Sequence, residues 1–331
     1  MSDYKNVRYA GRIEKVRHLP KKVCIGFYNL ENLFDTKDDP VIYDDDYTTE
    51  GYKNWNPDRY NRKLKKLSRV IAQIGEKETK SAPSLLGVAE VENRSVVEDL
   101  INTKKLKKYD YDIAHFDSPD ERGIDCALIY RKNHFEVLES KPIRVDLESE
   151  DGSPDYTRDV LYVCGLLFGK RIHVLVNHWS SRRGGEEESR PNRIQAALTN
   201  RRAIDAIKEE EPDARIVVMG DFNDDPHSES VKDHLVQQDL YNPMIFLLTR
   251  YEGSLNHDFK WYLFDQIILS SNFMNINDNK LYYYKSKIFN DKSLTEYKGK
   301  FKGNPFRTYA GRRYLGGYSD HFPVYCIFKN S

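Results

Sequence analysis

Apolar residues along this chain fall in short runs of strand length, separated by stretches in which they recur every three or four positions. Two such stretches predict amphipathic helices. Over 59–74, Leu64, Leu67, Ile71 and Ile74 share a face; over 191–208, Ile194, Ala197, Leu198, Ile204 and Ile207 do, with Pro191 suited to a first helical turn. A shorter helix is predicted at 95–101, with Ser95 as its N-cap. The continuous apolar runs predict buried strands: KVCIGFYNL (22–30), SLLGVAEV (84–91), YDIAHF (111–116), DCALIYRK (125–132), VLYVCGLLF (160–168), RIHVLVNH (171–178), RIVVMGDFN (215–223), FDQIILS (264–270) and PVYCIFK (323–329). The link Gly169-Lys170 has hairpin length. Strands that alternate with helices and also pair as hairpins imply sheets covered by helices, not a purely parallel doubly wound sheet. No repeat, linker or composition break interrupts the 331 residues, so one domain is expected, its core at about 22–329.

Two segments stand apart from this pattern. Residues 35–58 mix acidic side chains with Tyr43, Tyr47, Tyr52 and Trp55. The run 44–46 either recruits a cation or is simply solvated. Residues 272–307 interleave Lys280, Lys285, Lys287, Lys292, Lys298, Lys300, Lys302 and Arg307 with Tyr282, Tyr283, Tyr284, Phe289 and Tyr297. Such a mixture either tracks a phosphate backbone and stacks bases, or forms a solvated hairpin with half-buried rings.

Composition narrows the class. Lys plus Arg and Asp plus Glu are both 52, so the net charge of zero excludes a histone-like binder driven by total charge, though not a local basic groove. No apolar stretch approaches the roughly 20 residues of a membrane span. The segment 1–20 lacks a signal-peptide core; a cytoplasmic protein is expected if the chain is complete, a secreted or periplasmic one if a signal peptide has been removed. Cys24, Cys126, Cys164 and Cys326 sit in apolar runs without paired spacing and read as small buried hydrophobes. A monomer is expected.

The chemistry lies at strand ends. The first strand ends in Asn29 and Glu31, the next in Glu90, a hairpin strand in Asn177-His178, and the strand from 215 in Asp221-Phe222-Asn223; Asp265 opens an apolar strand, and Ser319-Asp320-His321 precedes the last. Six such ends imply one rim where they converge. Glu31, Glu90 and Asp320 are hard oxygen donors, with Asn29 a neutral one, and together they suit Mg2+ or Mn2+ rather than zinc. There is no glycine-rich P-loop and no GxSxG elbow. What remains is metal-assisted attack of water on a phosphate ester, with Asp221 and a His/Asn/Arg set as base, orienter and anion donors. Arg158 and Arg182 are candidate phosphate clamps, and Asn177 a candidate substrate contact.

FYNLENLFD (27–35), GVAEVEN (87–93), RGIDCALIYR (122–131), VNHWSSR (176–182), GDFND (220–224), FDQIILS (264–270) and YSDHFPV (318–324) resemble, in order, the motifs of the endonuclease/exonuclease/phosphatase superfamily, with its deoxyribonuclease-I-like fold. NHWSSRRGGEEESRPNR and RTYAGRRYLGGYSDHFPV resemble a bacterial subgroup of it. The resemblance implies a four-layer α/β sandwich: two mixed β-sheets face to face, helices outside, and the active site at one edge. It implies Glu90 as main metal-binding residue, Asn29 and Glu31 as the first-strand pair, and Asp320 as a further metal contact. It makes Asp221 the residue that orients or deprotonates water, and Asn223 the amide that holds a phosphate oxygen or the water. His321, fixed by Asp265, and His178 would face the phosphate, with Asp125 supporting His178. Glu31 departs from the Asp common at its position. Carboxylate-paired imidazoles would be held as cations.

Three functions follow from this set. The first is a Mg2+- or Mn2+-dependent phosphodiesterase acting on DNA or RNA. The second is a hydrolase of small or lipid-linked phosphates, of inositol or sphingolipid type. The third is a catalytically silent binding module, which the intact polar set opposes.

Overall fold

A computed structural model of the chain describes residues 20–149, 151–276 and 281–330. Most of the segment read for a signal peptide, and Lys280, lie outside the described residues. Twelve strands build two six-stranded sheets: β1 Lys22–Leu33, β2 Leu85–Val91, β3 Tyr111–His115, β4 Asp125–Arg131, β5 Phe135–Ile143, β6 Val160–Leu167, β7 Lys170–His178, β8 Ile216–Asp221, β9 Leu240–Tyr241, β10 Asp265–Ser270, β11 Leu281–Ile288 and β12 Val324–Asn330. The first sheet runs β11-β12-β1-β2-β4-β3, the second β9-β10-β8-β7-β6-β5. Both are mixed. β1 and β2 pair in parallel, as do β7 and β8, and the remaining ladders are antiparallel. The apolar runs of the central strands are continuous because each is covered on both faces.

Three helices cover the outer faces: α1 Pro57–Ile71, α2 Arg94–Ile101 and α3 Arg190–Glu210. Leu64, Leu67 and Ile71 of α1 and Val96, Val97 and Leu100 of α2 join the core of the first sheet, whereas Ala196, Ala197 and Ile204 of α3 pack on Leu175 and Val218 of the second. The layers are therefore helix, sheet, sheet, helix, the expected sandwich. Asn56 caps α1 and Pro57 occupies its first turn. α2 starts one residue earlier than expected. Its cap is Asn93, which accepts from the Val96 N–H, while Ser95 donates its hydroxyl to Asn93.

Three strands escape a hydrophobic reading, and all lie at sheet edges. β5 carries Glu136, Glu139, Lys141 and Pro142, and β11 carries Lys285 and Lys287. Charges and proline on an edge block further pairing, and they also erase the apolar run. β11 divides the segment 272–307: its Lys285 and Lys287 pair with Glu78. The β6–β7 hairpin turns at Phe168-Gly169, one residue earlier than expected, with φ of 51° and 79°. Two positive φ angles are what the twist-matched two-residue turn requires. Among the described residues, no helix is long and apolar enough to cross a membrane. All four cysteines are free and buried.

Gly87 of β2 sits where the sheets approach closely. A Cβ there would lie 2.6 Å from Met219 Sδ of the opposite sheet and 3.1 Å from Phe27 Cδ2. We expect Gly87→Val to cost about 1–3 kcal/mol by overpacking and Met219→Ala about 2–5 kcal/mol by cavity formation. Since the added volume fits the vacated space, the double variant should be more stable than the sum of the two single effects implies, measured by urea unfolding.

Candidate active site

The polar strand ends converge at one edge of the sandwich. Parallel pairing places the C-terminal ends of β1 and β2 side by side in the first sheet, and those of β7 and β8 side by side in the second. Asp221 is in register with His178 on one side and with Asp265 on the other. At the ends of β1 and β2 the backbone leaves the extended region: Glu31, Asn32 and Glu90 have φ of 52°, 52° and 60°, and the ladder shifts register there. The bulge turns Glu31 and Glu90 toward the rim instead of letting them alternate with the sheet faces. Asn223, just past β8, has φ of 49° and donates its backbone N–H to Asp221 Oδ1.

Asn29 bridges the two sheets. Its Nδ2 donates to Asp221 Oδ2 at 2.9 Å and to Glu90 Oε1 at 3.3 Å. Its Oδ1 accepts the Glu31 N–H, so the amide offers N–H groups, not its oxygen, to the carboxylates. That differs from the expected role of Asn29 as a metal ligand. Asp221 Oδ2 also lies 3.8 Å from His178 Nε2 and 3.9 Å from His321 Nε2. Those separations exceed a hydrogen bond, and the three groups face one space.

The two histidines differ electrostatically. His321 Nδ1 meets Asp265 Oδ2 at 2.6 Å, the pairing expected from the sequence. Burial disfavours its cation, but the Asp265 and Asp221 carboxylates outweigh burial and hold the imidazole well above its usual pKa. His178 has no such partner. Asp125 gives its carboxylate instead to His115 Nε2, at 3.0 Å, and to the Ser118 N–H. The expected Asp125–His178 support is therefore corrected, and His115, which showed no motif context, is satisfied by Asp125. His178 Nδ1 is buried without a hydrogen-bond partner. Burial, reinforced by the Arg158 and Arg122 guanidinium groups, pushes His178 well below its usual pKa, so it is neutral. Burial pushes Asp221 up to about 7, with Asp265 adding to the rise and His321 opposing it.

Three expected substrate contacts are engaged within the protein itself. Asn177 is fully buried; its Oδ1 accepts from the Trp179 indole and from Asn200 of α3. Arg158 is buried too, donating to the carbonyls of His178 and Trp179 and to Asp120. Arg182 is bound to the Asn223 carbonyl, Asp224 and Glu186, and lies over the Phe264 ring. All three are tied into the loops beneath the site by these bonds. The Asn223 side chain donates to the Trp179 carbonyl.

The expected metal ligands divide into two groups. Glu90 lies beside Asn29 and Asp221, and its Oε2 accepts the Asn32 N–H. Glu31 accepts from the Thr308 N–H at 2.6 Å, with Lys63 Nζ at 3.7 Å and Arg307 Nε at 3.6 Å. Arg307 also donates to Asp320 at 2.9 Å, so this guanidinium stands between Glu31 and Asp320. Burial and the charge of Asp320 push Glu31 above the usual carboxylate range. Asp221, Asp265 and His321 offer ligand atoms within 4.8 Å of one another. Carboxylates gather at this rim: Asp221, Asp265 and Glu31 are buried, and the partly exposed Glu90 and Asp320 provide further oxygens. That donor set fits a hard divalent cation.

A family model described as Endonuclease/Exonuclease/phosphatase family matches residues 24–330. The chain belongs to this family. Its fold is that of solved structures at low identity. A family protein from Bacteroides thetaiotaomicron aligns with a TM-score of 0.59 at 16% identity, covering 95% of this chain and 96% of that one. A mannosyl-6-phosphatase from the same organism aligns with a TM-score of 0.56 at 17% identity, covering 92% and 99%. D. rerio TDP2 complexed with a single-strand DNA product aligns with a TM-score of 0.54 at 16% identity, covering 93% and 99%. No curated protein sequence matches the chain. Family members are phosphoesterase hydrolases, and the acidic and histidine groups here could hold the divalent metal that such enzymes use.

Four further residues stand at the site without a role assigned from the sequence: Tyr47 and Lys63 outside the quoted motifs, and Arg122 and Arg307 at the first position of quoted segments. Tyr47, from the acidic insertion, stacks on Phe34 at 4.5 Å. Burial and the nearby Glu90 and Glu31 charges raise its pKa, which places the ring beside them. Arg122 donates to Asn32 at 2.8 Å and lies near His178. Lys63 is buried on α1 and donates to the Glu31 carbonyl and to Thr308. Arg307 appears in the sequence as one cation among the many of 272–307 and as the first residue of RTYAGRRYLGGYSDHFPV, with no role attached to it. For Lys63 a signal existed: a lysine beside Leu64 and Leu67 on the apolar face.

Two outcomes test this geometry. Asn177→Ala orphans the Trp179 indole N–H and should cost about 1–3 kcal/mol in urea unfolding; a rise in KM at unchanged stability would instead restore Asn177 as a substrate contact. In the metal-free protein, His321 should stay protonated through neutral pH in imidazole 15N NMR, and Asp265→Asn should bring its titration down. The stability this pair contributes is fully present below the unfolded imidazole pKa, near 6.5, and is lost as pH rises through the raised folded value; Asp265→Asn should remove that alkaline loss.

Proposed function

We propose that this chain is a divalent-metal-dependent phosphodiesterase acting on nucleic acid. The observation that carries the reaction type is the buried Asp265–His321 pair, whose Nε2 faces Asp221 across the space shared with His178. Asp221 is placed to take the proton of an attacking water, its Oδ1 held by the Asn223 N–H and its Oδ2 by Asn29. The water oxygen bonds to phosphorus as the ester oxygen leaves. The cationic His321 is suited to stabilise the phosphoryl oxygens or the leaving oxygen. Neutral His178 and Arg122 add donors on the opposite side. Glu90, with Glu31 and Asp320, would hold Mg2+ or Mn2+, which when bound neutralises phosphoryl charge and activates water.

Rings beside this pocket favour a polymer of bases. Leu255 pairs with His321 in an isolated bridge, and the hairpin it opens carries Phe259 at its tip, 65% exposed. Phe259 stacks on Phe301 at 5.8 Å, and Lys300 lies over the Phe301 ring. Exposed rings with adjacent cations hold bases without regard to sequence. One solved neighbour, D. rerio TDP2, carries a single-strand DNA product.

The test compares plasmid DNA, an RNA, bis-(p-nitrophenyl) phosphate and a panel of phosphate monoesters in Mg2+, Mn2+ and EDTA. DNA or RNA and the small diester should be cleaved, EDTA should abolish turnover, and His321→Ala should lower it by about 10²–10⁴-fold. Hydrolysis of monoesters alone would move the substrate to small phosphates. Inertness of every substrate in both metals would overturn the enzyme reading.

A further inference from the structure

A groove of about 940 Å³ runs between α1 and the turn that follows α2. Five cations line it: Lys65 and Arg69 on α1, and Lys104, Lys105 and Lys108 on the turn. All five are exposed. Among the described residues none of the five has a hydrogen-bond or ion-pair partner; Lys108 only rests over the Tyr109 ring at 4.8 Å. The one acid in the lining, Asp99, accepts the Tyr60 hydroxyl at 2.8 Å. Several other surface cations have acidic partners, such as Lys132 with Asp110, Lys141 with Glu139 and Lys208 with Asp239, while Lys298, Lys300 and Lys302 form no ion pair among the described residues; what sets the five apart is that they line one groove. In a chain of zero net charge, this groove is a local excess of positive charge.

Its position relates it to the active site. Residues two apart on a helix point about 200° apart, so Lys63 and Lys65 occupy opposite sides of α1. Lys63 reaches the Glu31 carbonyl at 3.0 Å, and Lys66 the Gly316 carbonyl. Lys65 and Arg69, one turn apart with a rise of about 6 Å, face the groove. A single helix, about 10 Å wide with its side chains, therefore separates the groove from the carboxylates. Asn61, Asn102 and Thr103 add hydrogen-bonding groups to the lining. The only large apolar lining residue, Leu64, is buried, so the groove has no apolar side chain to insert into a bilayer.

We propose that this groove binds the sugar-phosphate backbone of a nucleic-acid strand at a distance from the phosphate being cleaved. The inference rests on the nucleic-acid reading above and adds a second holding point across α1. Unpaired cations set in a concave, polar lining are the footprint of sequence-independent phosphate binding.

The test measures binding without turnover. Fluorescence anisotropy of a labelled single-stranded oligonucleotide is followed in EDTA, with the full chain and with the variant Lys65→Ala, Arg69→Ala, Lys104→Ala, Lys105→Ala, Lys108→Ala. The variant should bind at least about tenfold more weakly, and the slope of log K against log salt should flatten by about 0.7 for each phosphate that is no longer neutralised. Its thermal midpoint checks that it is folded. Acetic anhydride footprinting of the unaltered chain is a second readout that needs no variant: the oligonucleotide should protect Lys104, Lys105 and Lys108. Unchanged affinity and slope without protection would overturn the proposal. So would protection by phosphatidylserine vesicles where the oligonucleotide gives none. Binding that depends on the groove without any nucleic-acid cleavage would fault the catalytic reading and leave the groove standing.

Discussion

Asn29 is the contact on which the catalytic end of the sandwich depends. It belongs to the first sheet, and its amide N–H groups reach Glu90 in the same sheet and Asp221 in the second. The Ser319 hydroxyl donates to the Asn29 carbonyl and accepts the His321 N–H, so the loop that carries His321 hangs on the same residue. Without the amide, two carboxylates on opposing sheets would face each other unscreened. The left-handed residues beside it each cost about 1–3 kcal/mol. They are retained where hydrogen bonds determine them: the Glu31 N–H on Asn29 and the Asn32 N–H on Glu90.

Charge balance then decides what each titratable group becomes. His178 and His321 flank the same Asp221 oxygen at nearly equal distance. One is neutral and the other cationic because a carboxylate reaches Nδ1 only in His321. Lys63 is lowered by burial although Glu31 and Asp320 oppose the shift, and Glu31 is raised by burial although Lys63 opposes it. Each is carried by the other in a setting where neither charge would be stable alone. Arg307 performs the same service between Glu31 and Asp320. The donor set can therefore exist before any metal enters, without collapsing under its own repulsion.

What was legible in the sequence, and what was not, follows from this physics. Central strands are covered on both faces and announce themselves as apolar runs; edge strands such as β5 and β11 protect their free ladder with charge, and so look like loops. The Asp265–His321 pair was visible through motifs that place both at strand boundaries. The partner of Asp125 was not, because antiparallel β3 and β4 bring His115 beside it from a segment with no motif. Asn177 was a misreading that strand geometry could have prevented. Adjacent strand residues point to opposite faces; if His178 faces the site, Asn177 faces α3, where Asn200 meets it.

Counting charged residues failed for a related reason. The lysines of 272–307 and those of 104–108 look alike as composition. In the fold, Lys285 and Lys287 share the Glu78 carboxylate and Lys300 lies over the Phe301 ring, whereas Lys104, Lys105 and Lys108 line one groove with no ion pair among the described residues. Leu106, fully buried in the middle of that short run, anchors the turn and leaves its lysines outside. A field in salt water reaches only about 8–10 Å, so a polyanion approaching α1 meets the unpaired groove and not the chain's total charge. A net charge of zero therefore describes the sum over the molecule, while binding is decided by which cations have partners within that range.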